Sequence, residues 1–106
     1  MTDANPTADS GATDDAQVAH VLSSMLDLTQ AAHLRDEMVR IAGRGGIVLD
    51  ASGVERMSTP CVQILLAAAR GAQAANKPFK ITQASELFLT ALAELGLQDE
   101  FDNWME

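Results

Sequence analysis

Apolar and polar positions along this chain switch between two periods, and the switches mark out its elements. Ile47, Val48 and Leu49 form a continuous aliphatic run closed by Asp50, as in a central strand covered on both faces. Val62, Leu65, Leu66 and Ala69 then recur at three- and four-residue spacing, which predicts a helix with that face against the sheet. Ile64, Ala67, Ala68 and Ala75 fall on roughly the opposite face. An amphipathic surface helix would carry charge there, so this strip is either covered by another helix or open to a partner. Between strand and helix, Ala51 to Met57 reads as a connecting loop. Ser58 and Thr59 are cap-forming residues, and Pro60 is best tolerated at a first helical position, where its missing N–H would lack a partner anyway. Thr59 thus belongs to a helix N-terminus.

The remaining chain reads as packing around this unit. Met1 to about Ala16 contains Asp3, Asp9, Asp14 and Asp15 and no Lys or Arg, the composition of a disordered acidic tail. The folded domain is expected over residues 17–103. Alternation from Gln17 to Leu22 suggests a strand whose buried face carries Val18 or Val21. Thr29 can cap the next helix, in which Leu34, Met38 and Ile41, joined by Ala31 and Ala42, repeat at helical spacing. Leu28 is positioned to staple against Leu34, Arg35, Asp36, Glu37 and Arg40 form the wet face, and Gly43, Gly45 and Gly46 stop the helix.

Asn76, Lys77 and Pro78 end the central helix, and Phe79 to Thr82 reads as another strand. Ser85 can cap a last main helix with Leu87, Phe88, Ala91, Leu92 and Leu95 as its apolar set and Gly96 as its stop. Leu97 and Phe101 are expected to close the bottom of the core. Trp104, in an acidic tail, is expected to pack at the domain edge, although an exposed terminal aromatic is also a contact anchor. Strands alternating with helices imply right-handed crossovers: an α/β fold with a mostly parallel central sheet of about four strands flanked by helices.

Composition narrows the function. A chain of 106 residues supports one core. Its formal net charge of −8 argues against nucleic acid and against an anionic membrane surface, leaving basic or neutral protein partners. No stretch approaches the roughly 20 apolar residues of a membrane span and no secretory leader is visible, so a cytoplasmic location is expected. Cys61 is the single cysteine and has no companion spacing for a metal site. It reads as a small residue in the first helical turn; a helix N-terminus can activate a thiol, but no base is identified. His20 and His33 form no paired-ligand motif, and the glycines at 43, 45, 46 and 53 spell no nucleotide cradle. No catalytic residues, cofactor or metal are therefore assigned.

The order of strand, LDxS, variable loop, MSTPC and VQILLAAA, together with LDLTQAAHL ahead of it, resembles the STAS domain, the family of anti-sigma-factor antagonists and sulfate-transporter tails. The resemblance runs from about Val18 to Phe101. Family members carry an Asp-Ser/Thr-Ser/Thr-Gly turn at this helix start, and in the antagonists a Ser or Thr after the Asp is reversibly phosphorylated. Thr59 matches that acceptor, with Ser58 as second choice; here Ser58 replaces the family's Asp, Pro60 fills the next position and Cys61 replaces the usual Gly. A helix N-terminus tolerates such an anion, although Thr59 read alone is simply a cap.

The resemblance implies a non-catalytic signalling domain that binds a protein, such as an anti-sigma or serine-kinase-like regulator, through Ser58, Thr59, Pro60, Gln63, Ile64 and Ala67. Phosphorylation of Thr59 would release that partner. The alternative it implies is a constitutive STAS subunit of a larger complex, such as a lipid transporter or a chemotaxis-associated assembly, without covalent change.

Overall fold

The computed structural model describes residues 19–105, so the expected acidic tail and Val18 lie outside the described residues. The chain runs β1 (His20–Val21), β2 (Met25–Leu26), a 3-10 turn (Leu28–Gln30), α1 (Ala31–Ala42), β3 (Ile47–Asp50), β4 (Arg56–Met57), α2 (Thr59–Ala74), β5 (Phe79–Thr82), α3 (Glu86–Glu94) and α4 (Gln98–Asp102). Strands β1, β3 and β5 form a parallel sheet in that order, with His20 opposite Leu49 and Leu49 opposite Ile81. A second parallel pair, β2 with β4, stands apart from it.

Among the described residues the main sheet therefore has three strands where about four were expected. Two local events set the limits of this sheet. The expected strand from Gln17 stops at Val21, and after Ser23 and Ser24 the chain pairs instead with the loop beyond β3: Glu55 and Arg56 both donate their N–H to the Ser24 carbonyl, at 2.7 and 3.1 Å. The supposed loop Ala51–Met57 thus ends in a short strand. At the other edge, Ile81 forms an isolated parallel bridge with Met105 and donates to the Trp104 carbonyl at 2.8 Å.

Other differences follow from where each side chain finds cover. Val21 is 66% exposed, whereas Leu22, one residue on, is 3% exposed and continues the inward parity of His20. The cap ahead of α1 is Asp27, not Thr29: its carboxylate accepts the Thr29 N–H at 3.1 Å and the Thr29 hydroxyl at 2.6 Å, which starts a 3-10 turn and delays the helix to Ala31. Leu28 consequently points outward, 68% exposed, and makes no staple. Glu37 leaves the wet face and is half-buried against His20.

The core is aliphatic, as the composition requires. Leu34 and Met38 of α1, Ile47 and Leu49 of β3, Val62, Leu65, Leu66 and Ala69 of α2, Ile81 of β5, and Phe88 and Leu92 of α3 are all buried. Ser85 caps α3 as expected, accepting from the Phe88 N–H at 3.1 Å. Leu87 and Leu95, assigned to the same apolar face, are each 39% exposed because Phe88 and Leu92 alone occupy the inward stripe. Phe101 is fully buried and Leu97 half-buried, closing the core through a short helix where only a tail was expected. Trp104 packs edge-on against Phe79 and Phe101, with ring centroids 5.8 and 5.3 Å away.

Candidate functional site

The start of α2 is held by a chain of backbone bonds that begins at β3. Asp50 accepts the Ser52 N–H at 2.9 Å, and that bond, with the Ser52 side chain, holds its carboxyl below the usual aspartate range. Ala51 is buried and donates to Thr82, while its carbonyl accepts from Val54 and Ser85. The Ser85 hydroxyl in turn donates to the Val54 carbonyl at 2.7 Å. β4 then delivers Ser58, whose N–H donates to the Leu26 carbonyl at 2.7 Å.

This framework gives the α2 start two unlike sides. Ser58 is the N-cap with extended backbone, Thr59 is the first helical residue, and Pro60 is the second rather than the first. Inward, Cys61 and Val62 are fully buried, and the Cys61 thiol donates to the Asp27 carbonyl at 3.5 Å. The Ser58 hydroxyl is also buried, makes no cap bond and has no hydrogen-bond partner among the described residues. Outward, Thr59, Pro60 and Gln63 are exposed. The Leu28–Gln30 turn packs beside α2 and adds its own exposed Leu28. Of the two hydroxyls proposed from sequence as phosphate acceptors, only that of Thr59 belongs to a residue on the surface.

One helical turn further on, the outward side opens into a groove of about 550 Å³ between α1 and α2. Its α2 wall is Ile64, Ala67, Ala68 and Gly71, continued by the C-cap residue Ala75, and Val39 and Ala42 form the α1 wall. Met38, Ile47 and Ala72, all buried, lie beneath. The apolar strip seen in the sequence is therefore flanked by α1 but not covered by it. Val39 is 68% exposed on its rim, and a Cβ added to Gly71 would meet nothing within 4 Å. Sequence reasoning placed Ile64 and Ala67 in the site but missed Gly71, Val39 and the two cations that line the groove, Arg35 and Lys77. Val39 follows the core residue Met38 by one position, off the buried stripe, and that offset was its available signal.

Among the described residues, the titratable side chains form no second site. His20 lies 3.1 Å and His33 3.6 Å from Glu37, an arrangement that ties β1 to α1. No group of three His, Cys, Asp or Glu side chains among the described residues could hold a metal ion. No helix among them is long and apolar enough to cross a membrane.

A parallel α/β core that presents the outward half of a helix start beside an open apolar groove is a surface suited to docking. A family model described as the Mlab, STAS domain matches residues 11–105, nearly the whole chain, and the protein belongs to this family of STAS domains. No curated protein and no solved structure matches it.

Proposed function

We propose that this chain is a non-catalytic, cytoplasmic regulatory domain that binds a protein partner through the outward side of α2, and that phosphorylation of Thr59 switches the binding. The observation that carries the reading is the division at the α2 start: Cys61 and Val62 are locked into the core, while Thr59, Pro60 and Gln63 face solvent and lead to Ile64 and Ala67. Ser58 contributes through its backbone, which anchors the turn to Leu26.

A phosphate on Thr59 would add about −1.5 to −2 charges at a helix N-terminus, where the dipole tolerates it. The fold should survive modification. A partner seated on Pro60, Gln63 and Ile64 would instead meet a hydrated anion, and losing a few kcal/mol of binding weakens affinity by roughly a hundredfold. The experiment is mass spectrometry of the protein isolated from its native host, read together with capture of its partner. Phosphate on Thr59 in the unbound fraction and none in the bound fraction supports the switch.

A second reading is a constitutive subunit of a larger complex. It is favoured by Ser58, which stands where the antagonists carry Asp and buries its hydroxyl. Stoichiometric, salt-stable association with no phosphate in either fraction supports that reading over the switch.

A further inference from the structure

Resting on the reading of α2 as a docking surface, we propose that the α1/α2 groove takes one acidic amphipathic helix from the protein partner, small or aliphatic residues inward and carboxylates about two turns apart along its edge. The charge pattern points to this occupant. The chain has 15 acidic and 7 basic residues, yet the charged residues lining the groove are Arg35 and Lys77, and none of the lining residues among those described carries a carboxylate. The two cations mark opposite ends. Lys77 donates to the Ala42 carbonyl at the end of α1, at 3.4 Å, and Arg35 sits two helical turns earlier, about 10 Å away along the axis. Neither is consumed where it stands. Among the described residues, Arg35 pairs with the neighbouring exposed Asp36, at 3.3 Å, a surface pair of little strength, and Lys77 keeps further ammonium donors.

The shape suits a helix rather than a compact ligand. Ile64, Ala67 or Ala68, Gly71 and Ala75 repeat at three- and four-residue spacing over about 16 Å of α2, the ridge pattern that a neighbouring helix packs into. Alanine and glycine there permit close approach of a second backbone. A single-headed amphiphile would satisfy one cation and leave the other idle. A second copy of this chain, seated groove to groove, would bring Arg35 and Lys77 of both copies together. The groove also begins one turn from Thr59, so a phosphate there repels the occupant's carboxylates and gives the proposed switch its physical cause.

The test uses the full chain and two stapled helical peptides that share a Leu/Ala face and differ only in having Glu or Lys two turns apart on the edge. Amide NMR titration reads both site and affinity. The Glu peptide is expected to shift Ala67, Ala68 and Gly71 and to bind at least tenfold more tightly than the Lys peptide. Gly71→Leu, which fills open space, should abolish binding without unfolding, and Arg35→Glu with Lys77→Glu should reverse the preference. Equal binding of both peptides, binding of neither, or shifts elsewhere overturns the proposal. So does sodium dodecanoate if it perturbs these amides at lower concentration than the peptide, since that assigns the groove to an amphiphile. Thr59→Glu losing the native partner while the peptides fail would sink the acidic helix alone; unchanged native binding by Thr59→Glu would sink the switch instead.

Discussion

The Ser58 N–H donates to the Leu26 carbonyl at 2.7 Å, and through that one bond the first residue before α2 is fastened to a strand 32 positions earlier. The bond fixes the backbone of the cap while leaving the Ser58 hydroxyl buried without a partner. The helix start is thus positioned from the strand side, not by a side-chain cap.

That arrangement inverts the usual effect of removing a cap. Ser→Ala at an N-cap ordinarily costs about 1 kcal/mol, but Ser58→Ala removes a buried hydroxyl that bonds nothing. Its stability should equal or exceed that of the parent. Ser85→Ala, which removes an acceptor for Phe88 and a donor to Val54, should cost about 1–2 kcal/mol. Urea unfolding of the two variants decides the matter, and equal losses would remove the distinction.

Leu65 is completely buried on the sheet-facing side of α2. Leu65→Ala should cost about 2–5 kcal/mol by lost transfer energy and cavity formation. The fluorescence of Trp104, the single tryptophan, follows the unfolding. A loss under about 0.5 kcal/mol, the range of surface substitutions, contradicts the assigned face.

Two glycines should respond in opposite directions. A Cβ on Gly46 would lie 2.8 Å from the Pro78 ring, and a proline ring cannot swing aside, so Gly46→Ala should destabilise by about 1–3 kcal/mol. Gly71 is exposed within α2 with open space around it. There the same substitution should add roughly 0.5–1 kcal/mol through helix propensity. Thermal melts showing the same sign for both would count against either the Gly46–Pro78 contact or the open face of α2 at Gly71.

Asp50 contributes to the acid limb of stability. Its carboxyl is held below the ordinary value by the Ser52 N–H, so the folded form prefers the carboxylate more than the unfolded chain does. The stabilisation is present above the unfolded pKa, about 3.9, and is lost as pH falls through the folded pKa. Asp50→Asn should flatten the decline of stability in that window. An unchanged acid limb would show that the bond is not coupled to folding.

The β3–turn–α2 unit was legible because each part has a local cause: an aliphatic run, cap-forming residues and a proline that cannot enter a helix interior. β1 and β2 were not separable, since two-residue strands have no period and their ends are set by pairing with β3 and β4. Asp27 and Thr29 are both cap formers two residues apart, and only the 3-10 turn decides between them. The apolar strip on α2 was visible as Ile64, Ala67, Ala68 and Ala75. Its cations were not: Arg35 looked like part of a wet face and Lys77 like a helix stop. Their place on one groove comes from the packing of α1 beside α2, a tertiary relation with no local trace.

The most direct measurement of the central claim is the affinity of Thr59→Glu, relative to the parent chain, for the protein that the parent captures from its native host. Circular dichroism first establishes that the variant folds. A loss of about a hundredfold is predicted, with Thr59→Val binding as the parent does at some loss of stability. Equal affinity of Thr59→Glu and parent would contradict the account and leave the constitutive subunit in its place.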